Sequence, residues 1–349
     1  MEAAGDIQVR EMLGHKVSRE RIGAELDGML NGPDPVAAVH VLKKLRLFEA
    51  VFEVHPSATA DVTEEFSASG TSLVTAAFDI LTAWNPDVVL SVEDRRLVLL
   101  ASLLLPLRRC SVAGAKGRPQ SMAAHVIRDS LKWRTKDVEV VETMHRVAPR
   151  LLDVHRQLCV VGGPKSAPSD VKIALGRCIR ELKGLWRAAT VVAALLPSPE
   201  ARPLGVDAAE AAAGMAEAMA ESELANALHG TDSAPDELDV SVRLEMCKEL
   251  VAAAEAFGVS NAWQWKPLLD GKAVMEAVGM TRGGPALGKL MERVVDWQLA
   301  QPQGSREACV AWLVESEKAS SLSQQKDSSS LLVGAGEEDS AAVDGEGRG

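Results

Sequence analysis

The sequence predicts an all-α fold, and three observations support this prediction. The 349 residues include no Tyr and only five Phe, whereas Ala, Leu, Val, Glu and Arg are abundant, a composition that favours helix over sheet. Apolar residues recur every three or four positions along most of the chain, which is the period of an amphipathic helix. Hydrophobic residues make up 47% of the sequence and charged residues 25%, so the chain can form two or three packed units.

The first clear helix begins after Ser18. Ser18 can cap it, Glu20 suits the positive end of the helix dipole, and Val17 can pack against Ile22. The apolar positions continue at helical spacing until the sequence Asn31-Gly32-Pro33 ends the run. On periodicity alone, this segment is an amphipathic surface helix that covers a core.

Further helices are predicted wherever the same period returns. They cover 35–52, 73–84, 92–106, 121–132, 136–158, 170–196 and 240–257, and the very apolar 92–106 helix is expected at the centre of the core. We divide the chain into N-terminal helices at 1–55, a helical body at 56–196, an Ala/Glu-rich insert at 197–237, a helical tail at 238–315 and a C-terminal segment at 316–349. The last segment is rich in Ser, Gln, Glu and Gly, which predicts disorder.

The net charge of -11 is unevenly distributed along the chain. Residues 91–190 contain 19 Lys and Arg against 9 Asp and Glu, whereas residues 191–349 contain 12 against 26. A surface of the central region can therefore hold a polyanion in spite of the acidic total. The alternative is a solvated helical surface with an ordinary share of Arg.

Several classes of protein are not indicated by the sequence. The five Cys are widely spaced and never form a C-x-x-C pair, so neither a disulfide framework nor a zinc site is predicted. The apolar run at 97–107 is too short to cross a bilayer, and the first residues resemble neither a signal peptide nor an organellar presequence. We expect a soluble intracellular protein without a membrane partner; cytosol, nucleus, mitochondrion and plastid all remain open.

Common catalytic motifs are also absent from the sequence. It contains no His-Asp dipeptide, no G-x-S-x-G, no P-loop and no His-Glu-x-x-His. The motifs typical of hydrolases and kinases are therefore missing. His125, His145 and His155 are scattered, and we expect each to make a local hydrogen bond rather than to bind a metal.

Four strings, in this order along the chain, resemble the CCA-adding tRNA nucleotidyltransferases of eukaryotic type. They are residues 17–27 (VSRERIGAELD), 32–38 with 47–52 (GPDPVAA and LFEAVF), 124–132 (AHVIRDSLK), and 267–272 through 284–290 to 296–299 (PLLDGK, GPALGKL and DWQL). The first resembles the neck helix, the third a body helix and the last the tail of that family. In the family a catalytic head precedes the neck, so the resemblance implies that this chain lacks the head.

The resemblance also implies a partner and the residues that contact it. Body and tail of the family grip the acceptor and TΨC arms of tRNA by shape and phosphate, which suits a basic surface. Our candidates for tRNA contact are Arg108, Arg109, Lys116, Arg118, Arg128, Lys132, Gly284 and Lys289. Arg19 and Arg21 are expected to face a nucleotide-binding groove or the absent head.

Gly284 is a candidate because it precedes a predicted helix whose free N–H groups can bind phosphate. Pro285 suits the first turn of that helix. The alternative for this segment is helix packing through Gly288.

Nucleotidyl transfer in this family uses two nearby carboxylates that hold two Mg²⁺ ions. The sequence offers no glycine turn followed by Asp-x-Asp; the closest spacing, Asp137-Val138-Glu139, is predicted to be a solvated helix surface. The base-selecting Glu-Asp pair with a following Arg is not matched either, since Leu97 stands where Arg is needed after Glu93-Asp94.

The sequence therefore predicts a tRNA-binding neck, body and tail that is inactive alone. We expect this chain to bind no cofactor itself, with Mg²⁺, CTP and ATP belonging to the complete family enzyme. Its partners would be tRNA and a separate or missing catalytic head, and not DNA. The alternative function is a helical scaffold that binds a protein partner without RNA.

Overall fold

A computed structural model describes residues 16–84, 90–113, 119–196 and 239–318, and in these ranges the protein is predominantly helical, as predicted. The helices are α1 (Arg19–Asn31), α2 (Pro35–Lys44), α3 (Phe48–Val51), α4 (Ala60–Trp84), α5 (Val92–Leu103), α6 (Met122–His125), α7 (Thr135–Val161), α8 (Ser169–Leu182), α9 (Trp186–Ala194), α10 (Val240–Ala256), α11 (Gly271–Val278), α12 (Pro285–Ala300) and α13 (306–318). A π-helical turn, Val126–Ser130, continues α6. The chain forms two compact units, Met1–Gln264 and Trp265–Gly349.

The first helices pack because their apolar stripes face inward, as the periodicity predicts. Helix α1 buries Ile22, Leu26 and Leu30 and packs against α2 and α5. Helix α2 begins where the Asp34 side chain accepts a hydrogen bond from the Ala37 N–H at 2.9 Å. The Leu-Phe segment at 47–52 is a single helical turn, α3, that places aromatic rings in the core.

Helix α5 is the centre of the first unit, as predicted. Every residue from Arg96 to Leu103 is buried, and the helix packs against α4, α7 and α9. Its N-terminus is capped by Ser91, whose hydroxyl accepts from the Asp94 N–H at 3.1 Å. No helix in the described ranges combines the length and the apolar character that crossing a bilayer requires.

A short antiparallel ribbon is the exception to the helical fold. Strands β1 (Ser111–Ala113) and β2 (Pro119–Ser121) pair in the register Ser111 with Ser121. The ribbon lies between a 3₁₀ turn, Leu105–Arg109, and helix α6. The sequence predicts only a basic loop here, because strands of three residues are too short to show a period. Lys116 and Arg118, in the segment between the strands, lie outside the described residues.

Helix α10 belongs to the first unit, where it packs against α9, α4 and α7. The boundary between the units therefore falls after Gln264 and differs from the boundary at 238 that composition suggests. The Ala/Glu-rich insert at 197–237 lies outside the described residues.

The second unit has its own small core. Helices α11 and α12 and the following helix α13 bury Leu269, Val274, Leu290, Val294, Trp297, Cys309 and Leu313 together. Residues 316–318, which the composition assigns to the disordered segment, are helical, and the Ser316 hydroxyl accepts a hydrogen bond from Arg293 at 2.8 Å. The remainder of that segment, 319–349, lies outside the described residues.

Candidate nucleic-acid interface

Arg19, at the start of α1, is a structural clamp. Its guanidinium donates to the backbone oxygens of Ser130 (2.7 Å), Ala50 (2.7 Å) and Val51 (2.6 Å), and also contacts the Ser130 hydroxyl. Burial lowers the pKa of Arg19, while Glu53, 3.7 Å away, opposes this shift. Because these internal oxygens occupy the guanidinium, the contacts do not support the expectation that Arg19 faces a nucleotide groove or a head.

Arg21 has a different environment from Arg19, since it is exposed. It lines an apolar groove of about 340 Å³ between α1, α2 and α3. The other lining residues are Val17, Ile22, Glu25, Leu26, Met29, Leu42, Leu47 and Val51. The expectation that Arg21 faces a groove or the head stays a prediction.

Arg96 and Asp137 form a buried ion pair that connects α5 with α7. The Arg96 Nη2 lies 3.1 Å from Asp137 Oδ1, and its Nη1 lies 3.1 Å from Asp27 Oδ1. The guanidinium stacks 4.5 Å from the centre of the Trp133 ring. Asp137 is thus not on a solvated surface, as its sequence context suggests; it is 2% exposed.

These contacts also decide whether the Asp137 and Glu139 carboxylates fit a pair of Mg²⁺ ions. Asp137 is buried and already paired with Arg96 and Arg134. Glu139, two residues later on α7, is exposed. A site of this kind needs two free, convergent carboxylates. The two residues do not fit the metal pair of the family.

Glu93 is likewise engaged in an ion pair. Its Oε1 accepts from the Arg134 Nη2 at 2.6 Å, and this hydrogen bond holds the pKa of Glu93 below its ordinary value. Glu93 and Asp94 stand in the first turn of α5, where acidic side chains suit the helix dipole. Glu93 and Asp94 thus form a charged helix start.

The ribbon carries the first cluster of candidate cations. Arg108 and Arg109 end the 3₁₀ turn directly before β1, and Arg109 is exposed. Arg108 is half-buried, and burial followed by the charge of Arg109 lowers its pKa. Two adjacent cations are therefore placed at the base of the strand pair.

Arg128 joins this cluster through the second strand. Its Nη2 donates to the side-chain oxygen of Gln120 in β2 and, at 3.0 Å, to Asp129 Oδ2. The hydrogen bond to Asp129 raises the pKa of Arg128. The side chain remains 47% exposed, so a further anion can approach it.

Lys132 follows the π-helical turn. It is exposed and its φ of 56° lies in the left-handed region. The turn that carries Arg128 therefore ends with a second exposed cation, and together Arg108, Arg109, Arg128 and Lys132 are here named the ribbon patch.

Two further arginines form a surface that the sequence interpretation missed. Arg146 and Arg150, four residues apart on α7, both pair with Glu181 of α8. One carboxylate faces two guanidinium groups, so a positive charge remains in excess. The four-residue spacing of the two arginines predicts that they share one helix face. Their common partner, Glu181, lies 31 residues after Arg150, so the sequence does not indicate the ion pairs.

In the second unit, Gly284 is the N-cap of α12 and Pro285 occupies its first turn, as predicted. Gly284 has a φ of 159° and both Gly284 and Lys289 are exposed. Gly288 is exposed too, and among the described residues nothing lies within 4 Å of the position of an added Cβ. The alternative of helix packing through Gly288 is therefore not what the structure shows.

The histidines make the local contacts expected of them. His145 is buried and donates to the Ala101 oxygen at 2.7 Å, His125 lies 3.2 Å from Asp129, and His155 lies 2.6 Å from Glu249.

A family model matches one part of the first unit. Residues 13–60, which contain α1 to α3, match the family model described as the probable RNA and SrmB-binding site of polymerase A. The match covers the start of the helical first unit and extends no further along the chain.

Curated relatives match over most of the chain. The tRNA nucleotidyltransferases cca2 and cca1 of Schizosaccharomyces pombe are 25% and 23% identical over 318 and 315 residues, or 90% and 88% of this chain. The mitochondrial CCA tRNA nucleotidyltransferase of Candida glabrata is 19% identical over 336 residues. Over about 90% of its length the chain is therefore similar to CCA-adding tRNA nucleotidyltransferases.

The chain spans about half of these relatives, since the matches cover 55% of each. No solved structure matches the chain at a comparable level.

Proposed function

We propose that this chain binds tRNA as the neck, body and tail of a CCA-adding enzyme. The ribbon patch is the observation that carries the proposal. It consists of Arg108 and Arg109 directly before β1, Arg128 hydrogen-bonded to Gln120 of β2, and Lys132 four residues after Arg128, in a chain whose curated relatives are tRNA nucleotidyltransferases. Duplex RNA is recognised mainly through phosphates and 2′-hydroxyls, and exposed Arg and Lys side chains supply those contacts.

The charge distribution supports the same surface. The basic excess lies within residues 91–190, which contain the ribbon patch and the Arg146 and Arg150 pair. Lys289 and the free N–H groups after Gly284 are the proposed contact of the second unit. The proposal does not include Arg19, because its guanidinium is used internally.

The test is the affinity for tRNA over a range of salt concentrations, measured by fluorescence anisotropy. The variant Arg128→Gln/Lys132→Gln removes two exposed cations of the ribbon patch. Each phosphate contact contributes close to one unit to the slope of log K against log salt, so the slope should become shallower by about 1.4 to 1.8. Affinity at low salt should fall at least tenfold.

A matched control is available on another part of the first unit. Arg156 pairs with its neighbour Asp153 much as Arg128 pairs with Asp129, and Lys183 has a φ of 55°, close to that of Lys132. Arg156→Gln/Lys183→Gln should leave the slope nearly unchanged. If the ribbon variant and the control behave alike, the ribbon patch is not the contact. If the unsubstituted chain does not bind tRNA at low salt, the scaffold function replaces RNA binding.

We further propose that nucleotidyl transfer needs a head that carries the Mg²⁺ and nucleotide sites. The carboxylates that the sequence offers at family spacing, Asp137 and Glu139, do not support metal binding in their observed environment. Incubation of the chain with CCA-less tRNA, CTP, ATP and Mg²⁺ should therefore give no labelled product. Incorporation of labelled CMP or AMP by the chain alone would contradict this part of the proposal.

A further inference from the structure

Three side chains with metal-binding donor atoms converge between α7 and α10. They are His155, Cys159 and Glu249, and their nitrogen, sulfur and oxygen atoms all lie within 4.8 Å of one another. The sequence interpretation missed this cluster because it sought C-x-x-C spacing, whereas Glu249 lies 94 residues after His155.

Helix geometry places the three donors on one surface. His155 and Cys159 are four residues apart in α7, which puts their side chains on the same face of the helix. Glu249 projects from α10, which packs against α7. Helix α10 is itself anchored by the buried Cys247 and Leu250, so the carboxylate is held from a fixed backbone.

The donor atoms are separated by distances close to those around a tetrahedral metal ion. Cys159 Sγ lies 3.7 Å from His155 Nε2 and 3.8 Å from Nδ1, and a zinc ion bound to sulfur and nitrogen separates the two by about 3.5 Å. Because the sulfur is equally close to both nitrogens, the Cys159 side chain, which is exposed, must rotate toward Nε2 to share one ion with it. His155 Nε2 and Glu249 Oε2 are 2.6 Å apart and would open to about 3.4 Å. The Glu249 side chain is 53% exposed, so a small rotation achieves this.

We propose that His155, Cys159 and Glu249 bind a Zn²⁺ ion, with water in the fourth position. Thiolate, imidazole and carboxylate together match the preference of Zn²⁺, whereas Mg²⁺ prefers oxygen donors alone. The ion joins α7 to α10, two helices that are separated in sequence by the insert. Its role is therefore to hold α10 on the body, and it is distinct from the Mg²⁺ chemistry of the family.

The test is a titration of the metal-free full chain with Co²⁺, followed by displacement with Zn²⁺. One equivalent of Co²⁺ should produce a thiolate charge-transfer absorption, and Zn²⁺ should abolish it. Saturation with Zn²⁺ should raise the thermal midpoint of the protein by a few degrees, because the ion binds only the folded state. His155→Gln, Cys159→Ser and Glu249→Gln should each weaken binding at least tenfold, and Cys159→Ser should remove the absorption.

Two control variants keep the result specific. Cys110→Ser changes a half-buried thiol outside the cluster, and Glu245→Gln changes an exposed carboxylate one turn earlier on α10. Both should bind Co²⁺ like the unsubstituted chain. Absence of the absorption with one equivalent of Co²⁺, or its persistence in Cys159→Ser, would overturn the proposal.

Discussion

Single residues fix the closest approach of helices in this protein, and Gly23 is the clearest case. A Cβ at Gly23 would lie 1.9 Å from the Leu131 oxygen, and the Gly23 oxygen accepts from the Trp133 ring N–H at 3.0 Å. Helix α1 therefore meets the end of the π-helical turn backbone to backbone, and only Gly leaves enough space.

Gly23→Ala should lower the free energy of unfolding by about 3 kcal/mol, because a backbone carbonyl cannot move as easily as a side chain. Gly28→Ala on the same helix is the control, since nothing described lies within 4 Å of its Cβ position. There the loss of glycine flexibility should leave stability equal or higher by about 0.5 kcal/mol. Urea unfolding measures both, and equal effects would contradict the account.

His145 gives the protein a defined dependence on pH. Burial lowers the pKa of its ring from 6.5 to about 4. Between these values the unfolded chain binds a proton at this ring and the folded protein does not, so acid favours unfolding. The contribution is absent above pH 6.5 and reaches roughly 3 kcal/mol near pH 4.

His145→Gln keeps a donor for the Ala101 oxygen but cannot titrate. The difference in unfolding free energy between the original protein and this variant should therefore shrink as the pH falls from 7 to 4.5. Denaturant unfolding across this interval provides the measurement. A constant difference would mean that the pKa of His145 is the same in the folded and unfolded states.

At the scale of elements, Arg19 joins three parts of the chain. It connects α1 with the end of α3 and with the π-helical turn through three backbone oxygens. Ser130 completes the junction, because its hydroxyl donates to the Val51 oxygen at 3.0 Å. Helix α1, helix α3 and the π-helical turn are thus parts of one packed unit.

Arg19→Ala should reduce the free energy of unfolding by about 3 kcal/mol, since hydrogen bonds from a charged donor are among the strong ones. Arg21→Ala, an exposed position in the same turn, should change it by less than about 0.5 kcal/mol. Thermal or urea unfolding separates the two. A large effect at Arg21 together with a small one at Arg19 would refute the clamp.

Most helices, but few of the contacts between them, could be predicted from the sequence. Periodicity and end signals such as Ser91 and Gly162 are local, so the chain reveals them directly. The burial of Asp137 depends on its ion pair with Arg96, 41 residues earlier in the sequence. Neither composition nor periodicity predicts a pair so far apart. The hydrogen bonds of Arg19 could not be predicted either, because its acceptors are backbone oxygens and every residue type carries one.

At the scale of the whole molecule, the chain combines a basic middle region with an acidic C-terminal part. The ribbon patch and the Arg146 and Arg150 surface lie in the basic region. The curated relatives are about twice as long as the matched region. A basic middle region is the distribution of charge that the proposed binding of a polyanion requires.

The most direct test of this account is competition between tRNA and a DNA duplex of equal length for the chain at moderate salt. Recognition through 2′-hydroxyls and the shape of A-form RNA predicts that unlabelled tRNA displaces a labelled tRNA at least tenfold more effectively than the DNA does. Equal displacement would reduce the interaction to nonspecific charge attraction. Failure of the labelled tRNA to bind at all would contradict the central claim.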